Sequence, residues 1–204
     1  MIHRLFLAAL ALLALPALAQ TPPPAPTPPK LAEVRIALTT TMGVITVALD
    51  RAAAPVTTAN FLRYVDARRF DGIAFYRSMR LDWGGGLIQA GVRDPRRLFP
   101  PIAHEPTTKT GLTHSEGTIS MARLAPGTAT ADFTIMVGDM RGLDANPAAT
   151  GDNQGFAAFG RVVEGLDVVK AINAAPRSPT LGDGPMKGEM LAPPVRIVIV
   201  RRVP

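Results

Sequence analysis

The chain contains no cysteine among its 204 residues. Disulfide bonds, thiolate nucleophiles and thiolate metal ligands are therefore excluded. Stability must come from burying apolar side chains, and a chain of this length can form one domain with a sizeable core. The apolar content of 47% agrees with that requirement.

Histidine is also scarce, since only His3, His104 and His114 are present. The last two lie in one loop-like segment without metal-ligand spacing. No serine lies in a G-x-S-x-G motif, and Gly84–Gly86 is not followed by the Gly-Lys-Ser/Thr of a phosphate-binding loop. The sequence therefore predicts no metal site, no cofactor and no nucleophilic hydrolysis.

Aromatic residues make up only 5% of the chain and do not alternate with basic residues, as a surface that stacks nucleic-acid bases would require. The formal net charge is +6, and loss of Arg4 with the leader described below leaves +5. Most arginines are scattered along the chain. We therefore expect a solvated basic surface and no nucleic-acid partner, with weak attraction to anionic membranes or envelope polymers as the alternative.

The N-terminus has the composition of a secretory signal peptide. Met1–Arg4 is basic, Leu5–Leu15 is an unbroken apolar run, and Ala17–Ala19 matches an A-x-A site, which predicts cleavage before Gln20. An uncleaved anchor is the alternative, but the run is shorter than the ~20 residues that span a bilayer. Residues 20–30 form a proline-rich linker and residues 31–204 the folded domain. We expect a periplasmic or secreted monomer without a stable membrane span.

Short apolar segments alternate with turn residues along the domain and predict strands. They lie at Glu33–Thr40, Val44–Leu49, Gly117–Met121, Phe133–Val137, Ala157–Val162 and Val195–Val200. The last of these is apolar on both faces, which is typical of a buried closing strand. Apolar residues three and four apart after Pro55 and after Leu166 predict two helices. Many short strands with two isolated helices favour a mainly β fold, an antiparallel barrel.

One further hairpin carries the polar residues of most interest. Ile73, Phe75 and Arg77 alternate as in a strand, Leu87–Gln89 predicts a second strand, and Trp83–Gly86 forms the turn. If the strands pair, the Gln89 carbonyl can orient the Arg77 guanidinium, which has no acceptor of its own. The alternative is a half-buried hairpin whose arginine extends to water.

Several motifs together suggest a family. They are FYR at 75–77, LIQAG at 87–91, GTISMAR at 117–123, ADFTIMV at 131–137, Leu143-Asp144 and GFAAFGRVVEG at 155–165. From about Glu33 to Val200 the chain resembles the cyclophilin-type peptidyl-prolyl cis/trans isomerases, and it is most similar to their exported bacterial branch. The resemblance implies a closed eight-stranded antiparallel β-barrel capped by two α-helices. It also implies isomerisation of X–Pro bonds in proline-containing segments of unfolded or flexible chains.

The resemblance also assigns roles to individual residues. Arg77 matches the catalytic arginine and Gln89 its orienting partner. The backbone of Ala122 and Arg123 matches positions that bind the substrate chain, and Leu87 and Leu143 match two walls of the proline pocket. Further substrate-binding positions are matched by Phe75, Asp132, Phe133, Thr134 and Phe156, of which Phe133 is expected in the core.

The chain departs from the family pattern around the proline pocket. The family's Gln-Phe-Phe is Asp132-Phe133-Thr134 here, so one aromatic wall is missing, and Gly86 and Gly142 stand where bulky residues are usual. About four extra residues separate Arg77 from Gln89 and include Trp83. This tryptophan either folds back into the pocket or is an exposed loop residue.

Three functional interpretations therefore compete. The first is an active prolyl isomerase that assists the folding of exported proteins. The second is a weakly active or inactive module that binds proline-containing segments, and the third is a structural interaction domain tethered by its linker. The Arg77–Gln89 pair favours the first interpretation, whereas Thr134 favours the second.

Overall fold

The computed structural model describes residues 33–204. The predicted signal peptide, its cleavage site and the proline-rich linker at residues 20–30 therefore lie outside the described residues. Eight strands are present: β1 Val34–Thr40, β2 Gly43–Leu49, β3 Ala74–Arg80, β4 Gly86–Gly91, β5 Thr118–Met121, β6 Phe133–Val137, β7 Ala157–Glu164 and β8 Met190–Val203. They form a closed barrel in the order β1-β2-β7-β5-β6-β4-β3-β8, and every neighbouring pair is antiparallel. The predicted fold class is confirmed.

The helices are α1 Pro55–Asp66, α2 Thr107–Thr110 and α3 Leu166–Ala174. The predicted pair corresponds to α1 and α3, and α2 is a single turn within the long connection between β4 and β5. Pro55 occupies the start of α1, where its missing N–H would have no partner in the helix. The buried face of α1 combines Phe61, Leu62, Tyr64 and Val65 with the polar residues Thr57, Thr58 and Asn60, whereas Val56 is 39% exposed, so the apolar spacing predicts the helix but only part of its buried face. Helix α3 packs against β2, β3, β4 and β6. No helix among residues 33–204 combines the length and apolar character needed to cross a membrane.

The inward face of the barrel is filled by branched aliphatic and aromatic side chains. The ring of Phe61 from α1 contacts Phe70 at a centroid distance of 4.9 Å and Phe133 at 5.3 Å. Phe133 also meets Phe75 in an edge-to-face arrangement at 6.0 Å. These contacts join helix and barrel into one core, which fixes the strands whose outer faces carry the site.

A β-bulge in β3 determines which side chains face outward. The β3–β4 register pairs Phe75 with Ala90 and Arg77 with Gln89, so Tyr76 is an extra residue without a partner in β4. A bulge of this kind changes the alternation of the strand. Phe75 therefore points into the core, while Arg77 lies on the outer face. The predicted strand is confirmed, but the prediction that Phe75 and Arg77 continue one alternating face is wrong.

The prediction for the closing strand β8 concerns Val195–Val200, which is apolar on both faces and is therefore expected to be buried on both. The strand does close the barrel, since it pairs with β1 and with β3. However, Val198 is 39% exposed and Ile199 is 42% exposed. The inward face carries Val195, Ile197 and Val200, and the outward face of β8 is not covered within residues 33–204.

Candidate active site

A cavity of about 290 Å³ lies on the outer face of β3, β4 and β6. Its lining residues are Arg77, Met79, Leu87, Gln89, Ala122, Arg123, Leu124, Thr134, Leu143, Phe156 and Met186. We call it the Arg77 cavity. A small apolar cluster of Leu87, Met136 and Met140 lies beside it and is separate from the main core. The cavity thus combines an apolar wall with a charged donor, the arrangement typical of small binding sites.

Arg77 and Gln89 meet as the strand pairing predicts. They are opposite each other in the β3–β4 ladder, and Arg77 Nη1 donates a hydrogen bond of 2.9 Å to Gln89 Oε1. The side chain of Arg77 is 18% exposed, and that of Gln89 is buried. The alternative of an arginine that simply extends into water is therefore wrong for this hairpin.

A hydrogen bond to Asp132 fixes the orientation of the Gln89 amide. Gln89 Nε2 donates to Asp132 Oδ2 at 3.3 Å, and the Tyr76 hydroxyl donates to the same oxygen at 2.6 Å. A carboxylate only accepts hydrogen bonds, so it attracts the amide nitrogen and turns the amide oxygen of Gln89 toward Arg77. Asp132, which stands where the resemblance leads one to expect glutamine, therefore sets the orientation in which the Gln89 amide oxygen faces Arg77.

Burial shifts the pKa values of Asp132 and Tyr76. It raises the pKa of the Asp132 carboxyl, and the hydrogen bond from Tyr76, the charge of Arg93 and the contact with Gln89 oppose the shift. Burial and the nearby Asp132 charge also raise the pKa of the Tyr76 phenol. The phenol therefore stays protonated in the physiological range and remains a donor to Asp132.

A second acid contacts Arg77 from the opposite side. Glu189 precedes β8, and its Oε2 accepts a hydrogen bond of 2.7 Å from Arg77 Nε. The two side chains are 18% and 19% exposed, so the ion pair is partly shielded from water. Sequence reasoning missed Glu189, because no motif marks it and it lies 112 residues from its partner.

The Arg123 side chain is 4% exposed, and two of its hydrogen-bond partners, Asp152 and Gly155, lie outside the lining of the Arg77 cavity. It forms a bidentate ion pair with Asp152 at 2.8 and 2.9 Å and donates through Nε to the Gly155 carbonyl at 2.8 Å. Its guanidinium lies 5.2 Å from the centroid of the Phe156 ring. The hydrogen bonds from Arg123 lower the pKa of Asp152 to about 2. The Arg123 side chain thus holds the loop that carries Phe156.

A buried chain of hydrogen bonds joins Ser120, His114 and Asp144. His114 Nε2 lies 2.8 Å from Ser120 Oγ, and His114 Nδ1 lies 2.6 Å from Asp144 Oδ1. The order matches that of a serine hydrolase triad. Ser120 and His114 are nevertheless 0% exposed, and neither lines the cavities described here. The chain of contacts therefore ties Asp144, and with it the neighbouring Leu143, to strand β5.

His114 experiences two opposing influences on its protonation. Asp144 favours the charged imidazolium, whereas burial favours the neutral ring. Burial is the larger effect because the ring is fully enclosed and its second nitrogen faces a hydroxyl. The pKa of His114 is therefore lowered from 6.5. In the short contact with Asp144, the Nδ1–H of a neutral ring therefore donates to the carboxylate.

Most of the residues predicted for the site line the Arg77 cavity: Arg77, Gln89, Leu87, Ala122, Arg123, Thr134, Leu143 and Phe156. Asp132 lines the neighbouring cavity described next. Phe133 is fully buried in the core, as expected. Phe75 is buried there as well and not at the substrate site, because the bulge at Tyr76 separates its face from that of Arg77. Trp83 is 63% exposed and is absent from the lining, and its ring lies over Gly85 in the β3–β4 turn. The structure thus places Trp83 on the loop surface and leaves the Thr134 side of the cavity without a ring.

A second cavity of about 320 Å³ adjoins the first, and both are lined by Gln89, Ala122, Arg123, Leu124 and Met186. Leu124 is 91% exposed and Met186 is 38% exposed. These two apolar side chains border both cavities. Sequence reasoning missed them, since neither lies in a periodic apolar segment or forms part of the core. Within residues 33–204, no group of three or more His, Asp or Glu side chains is arranged to hold a metal ion.

Comparison with known proteins gives the same family. The sequence profile described as "Cyclophilin type peptidyl-prolyl cis-trans isomerase/CLD" matches residues 35–201. A peptidyl-prolyl cis-trans isomerase of Streptomyces antibioticus is 38% identical over 142 residues, covering 67% of this chain and 81% of that protein. Another, of Acinetobacter baylyi, is 32% identical over 173 residues, covering 84% of this chain and 86% of that protein.

Solved structures agree on the fold. A cyclophilin type peptidyl-prolyl cis-trans isomerase of Cryptosporidium parvum superposes with a TM-score of 0.66 at 17% identity, covering 84% of this chain and 98% of that chain. A structure of the same protein in the presence of the dipeptide Ala-Pro gives the same TM-score. The profile match over most of the chain, the bacterial relatives and the shared barrel lead to one conclusion: this chain belongs to the cyclophilin-type peptidyl-prolyl cis-trans isomerase family.

Proposed function

We propose that this chain accelerates the cis–trans isomerisation of X–Pro peptide bonds by donating hydrogen bonds from Arg77 to the twisted amide. The observation that carries the proposal is the 2.9 Å contact between Arg77 Nη1 and Gln89 Oε1 at the wall of an apolar cavity. It presents a permanently charged donor in a fixed position beside a site large enough for a proline ring.

The chemistry requires no covalent step. Rotation about the amide has a barrier of about 18–20 kcal/mol because it breaks the conjugation between nitrogen and carbonyl. In the twisted state the proline nitrogen regains a lone pair and can accept a hydrogen bond. A cationic donor aimed at this nitrogen therefore stabilises the twisted state more than either planar state, and this difference is what accelerates the rotation.

The guanidinium of Arg77 has donors to spare for this role. Of its five N–H groups, one is used by Gln89 and one by Glu189, and the other three have no hydrogen-bond partner within residues 33–204. Its side chain is 18% exposed, so a bound substrate would shield the remaining donors from water. Fixed donors in a shielded site interact more strongly than donors in free solution.

The apolar residues of the Arg77 cavity are suited to a proline ring. Leu87 and Leu143 provide aliphatic walls and Phe156 provides a ring that Arg123 holds in place. These residues would contact the proline ring of the substrate and not the side chain of the residue X before it. We therefore infer a broad range of X–Pro substrates. The signal-peptide composition of residues 1–19 supports unfolded or flexible segments of exported proteins as the natural substrates.

A module that binds proline segments without turning them over is the second candidate. Thr134 supports it, since this position leaves one side of the cavity without an aromatic wall and Trp83 does not replace it. The two candidates differ in a measurable way. A binding module would retain peptides in the cavity but leave the rate of cis–trans exchange at its uncatalysed value.

Replacement of Arg77 tests the proposal. We expect Arg77→Ala to lower kcat/KM by about 10²–10³, the loss typical of one preorganised donor. A protease-coupled assay on short X–Pro peptides measures the rate, and the melting temperature reports the fold. Arg96→Ala is the matched control, because the Arg96 side chain is 90% exposed and, within residues 33–204, pairs only with Asp94. Equal activity of wild type and Arg77→Ala would refute the mechanism, and a wild type without activity would favour the binding module.

A further inference from the structure

The ion pair between Glu189 and Arg77 has a geometry that a random surface contact would not have. Arg77 Nε donates to Glu189 Oε2 at 2.7 Å, while Nη1 donates to Gln89 Oε1 at 2.9 Å. The two partners therefore approach different nitrogens of one planar group. One contact alone leaves the guanidinium free to pivot about it, whereas two contacts at different nitrogens define its plane.

The backbone of Glu189 is held in place independently of its side chain. Its carbonyl accepts a hydrogen bond of 2.8 Å from the Ser78 N–H, next to Arg77 in β3. Its N–H donates to the Met186 carbonyl at 3.1 Å, which closes a turn. The next residue, Met190, pairs directly with Arg77 in the β3–β8 ladder. The carboxylate is thus delivered from a fixed backbone.

An interruption of the ladder brings this segment to the site. Between the pairs Phe75–Val195 and Arg77–Met190, β8 contains four residues that have no partner in β3, including Pro193 and Pro194. Prolines cannot donate to a ladder, so they are tolerated where it is broken. Beyond the break the register shifts, and the start of β8 lies alongside Arg77. Glu189 reaches the guanidinium from that position.

We propose that Glu189 is a second positioning residue for Arg77, which acts together with Gln89 to fix the plane of the guanidinium. The proposal rests on the catalytic role proposed for Arg77. Gln89 binds Nη1 and Glu189 binds Nε, so the three remaining N–H groups, one on Nη1 and two on Nη2, are held in one fixed plane. Since donor alignment decides how well a twisted amide is stabilised, loss of Glu189 reduces turnover more than substrate binding.

The negative charge of Glu189 opposes catalysis, whereas its orienting contact favours it. A carboxylate in contact with the guanidinium weakens the positive field that the twisted amide experiences. Orientation and charge can be separated by substitution, because the amide oxygen of Glu189→Gln still accepts from Nε but carries no charge. If the orienting effect of Glu189 outweighs the effect of its charge, kcat of Glu189→Gln equals or exceeds the wild-type value, whereas kcat of Glu189→Ala is lower.

The experiment compares Glu189→Ala and Glu189→Gln with Asp183→Ala and Asp183→Asn. Asp183 is an exposed acid in the same segment, and its side chain forms no hydrogen bond or ion pair within residues 33–204. We expect Glu189→Ala to lower kcat about tenfold with KM within about twofold, as for a donor that is kept but less well aimed. We expect Glu189→Gln to restore kcat and both Asp183 variants to behave as wild type.

A spectroscopic signal of the Arg77 Nε–H gives a readout that does not depend on activity. In ¹⁵N NMR spectra, this proton should exchange slowly with water in wild type and in Glu189→Gln, and rapidly in Glu189→Ala. Equal loss of kcat in both Glu189 variants, a gain in both, or an unprotected Nε–H in wild type would each overturn the proposal. If the wild-type protein does not accelerate isomerisation, the proposed function fails, and the Nε–H signal still decides whether Glu189 orients Arg77.

Discussion

Replacement of Thr134 by phenylalanine tests how the Arg77 cavity binds proline. Thr134 is 7% exposed, lines the cavity and lies opposite Gln89 in the β4–β6 ladder. The family resemblance places an aromatic wall at this position. In this chain the space is open, because Trp83 is on the loop surface and the cavity has a volume of about 290 Å³. We therefore expect the new ring to enter the cavity without overpacking it.

The size of the effect follows from the apolar area that the ring would share with a substrate. A contact of about 50 Å² at ~25 cal/mol per Å² gives about 1.3 kcal/mol, or roughly ninefold tighter binding. The wall touches the planar and twisted states alike, so KM should fall while kcat changes little. Loss of the 3.3 Å hydrogen bond from Thr134 Oγ1 to the Ser120 carbonyl opposes folding. We expect this loss to cost about 1 kcal/mol and to lower Tm by about 2–4 °C.

The assay measures kcat, KM and Tm for Thr134→Phe alone and in combination with Trp83→Ala. Lower KM in the single variant, with no further effect of Trp83→Ala, agrees with an open cavity. Damage that Trp83→Ala relieves would mean that Trp83 occupies the cavity in solution, and overpacking would then cost about 1–3 kcal/mol. An unchanged KM in both backgrounds would refute the assignment of Thr134 to the proline pocket.

Two further predictions concern pH and processing. Because the folded-state pKa of His114 is below 6.5, the native state binds fewer protons than the unfolded state as the pH falls below that value. The free energy of unfolding should then decrease by up to about 1.4 kcal/mol per pH unit. Urea unfolding at pH 7.5 and 5.5 should show this loss in wild type but not in His114→Gln, and an equal loss in both would contradict it. The mature exported protein should begin at Gln20 by mass spectrometry, whereas an intact Met1 on a cytoplasmic protein would rule out cleavage.

Local pattern predicted much of the fold. The hairpin that pairs Arg77 with Gln89 could be read from a short segment, since alternation and a glycine turn specify two antiparallel strands. The helix beginning at Pro55 was equally predictable from its apolar spacing and its proline. In both cases the interactions that form the element lie within about twenty residues, so a single segment contains the information.

The features that were missed depend on contacts between distant segments. The bulge at Tyr76 changes the face of β3, and nothing in the local sequence distinguishes it from regular alternation. Val198 and Ile199 are apolar but exposed, because burial is decided by what covers a strand and not by the strand itself. Nothing in the local sequence distinguishes Glu189 from other acidic residues in loops, because the β3–β8 pairing is what brings it to Arg77.

The position of β8 in the barrel has a consequence for synthesis. β8 pairs with the first strand, β1, and with β3, so the ring of strands closes only when the C-terminal segment is available. During translation β3 and β4 emerge from the ribosome long before Glu189. A nascent chain can therefore bring Arg77 to Gln89 but cannot yet hold the guanidinium from both sides. Pairing over such sequence distances is slow relative to local pairing. The order of synthesis thus makes the candidate site one of the last parts of the molecule to assemble, and its geometry is complete only in a finished chain.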